Sequence, residues 1–176
     1  MHRLDPSNAS CFVFTFKEGL LSLVAHDLKI RVTRFSIDVD EAARAVAGRF
    51  DATSLRVACA MNGDEESPGT LSDAQKSEIE ANIVNDVLAT AEFPEIRFAS
   101  TSVKDDKNGF RVAGDLLLHG VSKRVALNVE RNADGYVAHA RVHQPDFGIR
   151  PYSALFGTLK VKAEVEIRVV VPWATA

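Results

Sequence analysis

The side chains of this 176-residue chain that could do chemistry are its five histidines, two cysteines and a scatter of carboxylates. Their spacing decides what they can do together. His139 and His143 share one strand face but lie roughly 13 Å apart at ~3.3 Å per residue, too far to chelate one metal. Both are expected at the surface. His119 falls at a hairpin end and reads as a turn residue. Asp64, Glu65 and Glu66 sit in a polar loop, where a solvated acidic run is the simpler reading than a catalytic pair. Cys11 and Cys59 have the spacing of neither a zinc site nor a redox pair, so two buried free thiols are expected. No G-x-S-x-G elbow, P-loop, Rossmann glycine pattern or H-E-x-x-H occurs. The sequence therefore predicts no catalytic residue, no metal ligand and no cofactor.

Two polar places remain as candidates for contact with a ligand. His26 is the one ionisable side chain in an otherwise apolar row, between Val24 and Leu28. It reads either as a histidine satisfied by a backbone carbonyl or buried water, or as the hydrogen-bond partner of a ligand's polar end. The run Arg150-Pro151-Tyr152-Ser153 could bring Arg150 or Tyr152 to the same head group, although a plain structural loop is the simpler role.

The elements that must position these residues are strands. From Thr158 to Val171 the chain reads TLKVKAEVEIRVVV. Leu159, Val161, Ala163, Val165, Ile167, Val169 and Val171 fall on one face, and Lys160, Lys162, Glu164, Glu166 and Arg168 fall on the other. That period of two marks an antiparallel strand with one dry and one wet side. Such a strand spans roughly 46 Å and needs partners as long. Near the start, Phe12, Phe14 and Phe16 alternate with Cys11, Val13 and Thr15, which predicts a first strand with an aromatic inner face. Gly19 then allows a turn. The row His26, Leu28, Ile30 and Val32 continues as Phe35, Ile37 and Val39 with a one-residue slip near Thr33. Val46, Gly48 and Phe50 give way to Leu55, Val57 and Cys59 across Ala52 to Ser54. Each slip predicts a bulge that bends its strand.

One helix is predicted, roughly from Asp73 to Thr90. Ser72 and Gln75 have capping-box spacing, and Ile79, Ile83, Val84, Val87 and Leu88 make a narrow apolar stripe. A narrow stripe suits a helix capping a barrel opening. Pro94 stops the helix. Strands from Glu95 to Val103, Phe110 to His119, Val125 to Val129 and Tyr136 to His143 follow, joined by short polar turns rich in Asn, Asp and Gly. The reading is an all-β single domain over residues 1–176, with about eight antiparallel strands in an elongated barrel.

Composition narrows the partners. Lys and Arg total 21 against 24 Asp and Glu without any basic block, so neither nucleic acid nor an anionic membrane is an expected partner. No apolar run reaches the 18 residues that membrane insertion by a helix requires. The opening MHRLDPSNASC has no basic stretch followed by an apolar one, which makes a cytoplasmic location the expectation, or a periplasmic one if a leader was trimmed.

Several stretches resemble a known family. Asn85 to Val103, NDVLATAEFPEIRFASTSV, with Phe93-Pro94-Glu95-Ile96-Arg97-Phe98 at its centre, is similar to the helix-to-strand signature of the YceI-like family. Gly114 to Val125, GDLLLHGVSKRV, resembles that family's hairpin, and Asp146-Phe147-Gly148-Ile149 resembles its DFGI motif. The opening Leu-Asp-Pro and the Phe-rich strand after it also fit. The resemblance implies a lipocalin-like barrel that binds a polyisoprenoid or similar amphiphilic chain in an apolar channel, often as a homodimer. Two features are expected to set this chain apart from the familiar members: the opening residues do not read as a signal peptide, and the second strand carries Ala25-His26-Asp27-Leu28.

The residues point to the same type of ligand independently. The inward rows are predicted to contain Phe12, Phe14, Phe16, Leu28, Ile30, Phe35, Ile37, Phe50, Leu55, Val57, Phe98, Leu116, Leu118, Leu127, Val165 and Ile167, with His26 beside them. No charge stands among the apolar members, so a nucleotide or sugar could not be desolvated there. A polyisoprenoid, quinone or fatty-acid-like chain suits such an interior: about ten methylenes at ~0.8 kcal/mol each supply roughly 8 kcal/mol, near micromolar before association costs. Two rival readings are a filled-barrel stress or structural protein without ligand, and a small β-barrel enzyme that uses His26 with a nearby polar group.

Overall fold

The structure is a computed structural model that describes residues 1–18, 26–154 and 159–173. The strands are β1 (His2–Leu4), β2 (Ser10–Thr15), β3 (Lys17–Glu18), β4 (Asp27–Val32), β5 (Phe35–Asp40), β6 (Ala45–Asp51), β7 (Leu55–Asn62) and β8 (Glu65–Ser67). After α1 (Asp73–Asn82) come β9 (Glu95–Asp106), β10 (Gly109–Leu118), β11 (Val121–Arg131), β12 (Gly135–His143), β13 (Ser153–Ala154), β14 (Leu159–Val161) and β15 (Glu164–Pro172). Twelve of them form one antiparallel sheet in the order β1, β5, β6, β9, β10, β11, β12, β15, β2, β4, β7, β8. The other three, β13, β14 and β3, form a small second sheet.

One bent hairpin makes the large sheet curl. β4 runs into β5 and β6 into β7, so residues 27–62 are a single long hairpin broken in the middle of both arms. Its β5–β6 half lies beside β9, while its β4–β7 half lies beside β2, five positions from β9 in the sheet order. A flat sheet cannot reach both places. The result is a strongly curled half-barrel.

The two expected bulges take a different form. At the first, Thr33 and Arg34 leave the ladder; at the second, Ala52–Ser54 wind into a 3-10 turn. Thr33 donates its N–H (3.0 Å) and hydroxyl (2.9 Å) to the Ser54 carbonyl, and the Arg34 N–H donates to the Ser54 hydroxyl (3.1 Å). The two breaks are one corner shared by both arms. True register shifts occur elsewhere, between Lys29 and Ile30 and between Ala113 and Gly114.

The predicted final strand is also divided. Its first residue, Thr158, lies outside the described residues, as does the expected turn at Gly19. Leu159–Val161 belongs to the small sheet and Glu164–Pro172 to the large one. Between them, Gln144 donates its backbone N–H to the Ala163 carbonyl (2.9 Å) and its side-chain amide to the Lys162 carbonyl (3.1 Å). Those two carbonyls are thereby taken from the ladder. Because long runs are broken in this way, the large sheet has twelve strands where about eight were expected.

The helix begins as predicted and ends sooner. Ser72 accepts the Gln75 N–H, and the Gln75 side chain accepts the Ser72 N–H at 2.9 Å, which completes the capping box. After Asn82 the α-helix widens into a π-turn, Ile83–Val87. α1 lies along β7, where Glu80 accepts the Val57 N–H (2.8 Å) and Lys76 donates to the Ala58 carbonyl (3.1 Å). The helix thus satisfies main-chain groups on the side of β7 away from β4, groups that an uncovered sheet edge would leave open to another chain. Replacing Glu80 by Ala removes the acceptor for Val57 N–H, with an expected loss of about 1–2 kcal/mol in urea unfolding. Glu80→Gln, which keeps an acceptor oxygen, is expected to lose less.

Candidate ligand-binding interior

The inner face of the sheet is apolar from strand to strand. Ile167 lies opposite Val13 on one side and Ala140 on the other; Val13 lies opposite Ile30, and Ala140 opposite Leu127. These side chains therefore share one face across five strands. Three clusters build on them. The first contains Cys11, Ile30, Val32, Phe35, Ile37 and Leu55; the second Leu118, Val142, Phe147, Ile149 and Val165; the third Val57, Ala60 and Leu71. Val13, Ile167 and Leu88 touch both the first and the second, so the apolar interior is continuous. Ile83 packs on the first, Val87 on the second and Ile79 on the third, which places the narrow stripe of the helix region against the interior.

That interior is not sealed along its length. Ile30 is only 2% exposed. Val13, Ile167, Leu116 and Leu127, which face the same way in mid-sheet, are only half-buried. A strand residue paired on both sides has little backbone to expose, so their exposure comes from side chains that border open space.

Among the predicted lining residues, Ile30, Phe35, Ile37, Phe98, Leu118 and Val165 are buried, and Leu28, Phe50, Leu116 and Ile167 are half-buried. Registers and clusters place all ten on the inner face. The ring of Phe98 lies so close to Gly114 that a Cβ there would stand 2.5 Å from it. Glycine in that motif makes room for the ring.

The phenylalanines of β2 face outward, a correction to the predicted aromatic inner face. Phe12 lies opposite Arg168 and Arg31, and Phe14 opposite Glu166 and Lys29, whereas the inner row takes Cys11 and Val13. Phe12 and Phe14 are nonetheless each 8% exposed, because cations cover them. The Lys29 ammonium stands 4.2 Å from the Phe12 ring centre, the Arg31 guanidinium 5.1 Å, and the Arg168 guanidinium 4.6 Å from that of Phe14. Phe16 is half-buried and, with residues of both faces, Phe14, Glu166 and Arg168 as well as Thr15 and Leu28, borders a recess of about 270 Å³. Both apolar sets in β2 alternate equally well, so the strand alone could not fix its phase. The alternating charges of β4 and β15 could have done so once the strands were paired.

His26 is half-buried and lies just before β4 rather than inside a strand row. Val24 and Ala25 fall outside the described residues, so the row that would carry His26 inward is not defined there. The remaining polar candidates take the simpler roles. His119 sits at a positive φ of 51° in the β10–β11 turn, with Nδ1 3.2 Å from the Phe147 carbonyl and its ring 4.4 Å from that of Phe93. His143 is exposed and His139 half-buried, both on the outer face. Glu66 pairs with Lys29, and Asp64 is exposed. Tyr152 accepts a hydrogen bond from the Asn82 amide at 3.1 Å, and with Arg150, Lys160, Glu18, Asp86 and Val87 it borders a second groove of about 790 Å³. Among the described residues no three His, Cys, Asp or Glu side chains converge as metal ligands. Cys11 and Cys59 are buried and free. Burial pushes the Cys11 thiol up to about 12 and also raises that of Cys59.

The YceI-like domain family matches residues 3–172. The chain belongs to that family. The Protein YceI of Escherichia coli is 35% identical over 75 residues, covering 37% of this chain and 39% of that protein. A UPF0312 protein of Photorhabdus laumondii is 44% identical over 50 residues, 28% of this chain and 26% of that protein. These matched regions thus span less than two fifths of the curated relatives' length. Two solved structures share the fold. Burkholderia cenocepacia BcnA aligns over 96% of this chain and 99% of its own at 15% identity and a TM-score of 0.62. A polyisoprenoid binding domain from Saccharophagus degradans, implicated in plant cell wall breakdown, aligns over 96% and 94% at 14% identity and 0.57. The YceI-like motifs of the chain have structural work: Phe147 and Ile149 of the DFGI run are buried in the second cluster, and Gly148 turns between them at φ 70°.

The two faces of β2 are separable by substitution. Phe14→Ala, which uncovers the outer face, is expected to cost about 3 kcal/mol in denaturant unfolding. Val13→Asp places a charge inside and is expected to cost more than Phe14→Ala in the same measurement. In the folded protein, both cysteines are expected to resist a disulfide reagent at pH 8, where burial keeps the thiols protonated, and to react once urea unfolds the chain.

Proposed function

We propose that this YceI-like protein binds an amphiphilic long-chain lipid, of polyisoprenoid, quinone or fatty-acid-like type, inside the curled sheet. The observation that carries the reading is the exposure of uncharged inner-face side chains in mid-sheet, Val13, Ile167, Leu116 and Leu127, beside fully dry neighbours such as Ile30. A barrel packed solid would bury all five alike. Joining β1 to β2, β4 to β5 and β6 to β7, and setting β8 aside as an edge ribbon, leaves eight runs in the large sheet. An eight-stranded barrel has room for its own side chains or for one slender ligand. The polyisoprenoid-binding domain that shares this fold supports the ligand class. The apolar lining offers no set of polar groups to drive a reaction, so the role is binding or carriage rather than catalysis. A cytoplasmic location and a homodimer are parts of the same proposal.

Organic-solvent extraction of the purified protein followed by mass spectrometry is expected to release a lipid in near-stoichiometric amount, and delipidated protein is expected to melt higher when farnesol or geranylgeraniol is added. A clean extract with no thermal shift from either alcohol would leave a filled barrel as the better description. Ile167→Phe fills the interior from mid-sheet. It is expected to keep the fold and lose at least tenfold in affinity for geranylgeraniol, measured by isothermal titration.

A further inference from the structure

The two ends of the curled sheet are finished differently. At one end lie the β10–β11 turn, the β7–β8 hairpin and α1 with its π-turn. At the other end the β5–β6, β9–β10 and β11–β12 turns surround inner-face side chains that stay half-buried: Phe110, Val129, Tyr136 and Val171. Trp173 follows there. It is 40% exposed, and it and Met1, at the same end, are the exposed large apolar side chains among the described residues. Its indole packs edge-on against Tyr136 (5.1 Å between ring centres), which in turn meets Phe110 at 6.2 Å. The indole N–H donates to the Ala133 carbonyl (2.8 Å), and the Arg131 guanidinium stands 5.0 Å from the ring centre.

We propose that this aromatic rim is a docking surface for a lipid bilayer, through which the interior exchanges its ligand with the membrane. Three features fit that partner. Tryptophan, tyrosine and arginine combine an apolar body with a polar tip, which suits the boundary between head groups and acyl chains. Three arginines around the rim are matched with carboxylates, Arg3 with Asp38 (2.8 Å), Arg44 with Asp105 (3.1 Å) and Arg111 with Asp106 (2.7 Å), which suits a zwitterionic surface rather than a strongly charged partner. Val171 belongs both to the rim and to the apolar surroundings of the first cluster, so the apolar interior reaches the rim, where the Arg131 guanidinium stands over the Trp173 ring. The exchange role rests on the ligand reading above; attachment to the bilayer does not.

Trp173 is the one tryptophan of the chain and reports on its own rim. With phosphatidylcholine vesicles, its emission is expected to shift to the blue and to be quenched by lipids brominated near the head-group end of the acyl chain. Trp173→Ala is expected to weaken co-flotation with these vesicles about tenfold, the scale set by burying one large side chain. The same variant should bind water-dispersed farnesol as the parent does, which shows that it is folded and keeps the interior reading separate from the rim. In the double variant Trp173→Phe, Phe93→Trp, the reporter moves to the opposite end and is expected to stay unquenched. Absence of flotation, equal quenching at residue 93, or attachment only to anionic vesicles that salt reverses would each overturn the proposal.

Discussion

Ser54 is fully buried, and it holds both arms of the longest hairpin at the place where they bend. Its carbonyl accepts two hydrogen bonds from Thr33, while its hydroxyl accepts from the Arg34 N–H and reaches the Asp51 carbonyl at 2.8 Å. Unpaired backbone in a dry corner is costly, so a bend there is tolerated only because these partners are supplied. The rest follows from the bend. It sends β5–β6 to one flank of the sheet and β4–β7 to the other, and the space enclosed is the apolar interior. It also takes β7 away from β9, and α1 lies along the side of β7 so opened, with Glu80 and Lys76 meeting its main chain.

Much of this was legible in the sequence because period-two alternation survives wherever a strand has one wet face. The strands from Glu95 onward, the capping box and the two slips that became the corner were all visible in that way. What stayed hidden were events fixed by partners distant in sequence. Gln144 interrupts the last strand by taking the carbonyls of residues 162 and 163, and no pattern within TLKVKAEVEIRVVV announces it. The phase of β2 was hidden for another reason. Cys11, Val13 and Thr15 alternate with three phenylalanines, and hydrophobicity alone favours burying the larger set. The pairing of Phe12 with Arg31 and Arg168 reverses that choice.

The outward phenylalanines show that burial and inward orientation are separate properties. Phe12 and Phe14 lose nearly all their exposure under Lys29, Arg31 and Arg168, whose charged groups stand over the rings. Each such contact contributes roughly 0.5–2 kcal/mol in addition to the area covered. The Arg168 Nε is buried without an oxygen partner among the described residues, which fits a guanidinium resting on a ring rather than reaching a carboxylate. The strand is thus stabilised from outside.

That external support has a consequence for the inside. If the two large rings of β2 pointed inward, they would occupy the middle of the sheet and leave space only for their own packing. With Cys11 and Val13 there, the inner side of β2 is small, and Ala138 and Ala140 on β12 keep the next-but-one strand equally low. Small residues on β2 and β12, on either side of Ile167 and Val169, keep this part of the inner face low from Val13 in mid-sheet towards Val171 at the aromatic end. The room left on the inner side is therefore set by which face of β2 carries its aromatics, and the cations of β4 and β15 decide that face.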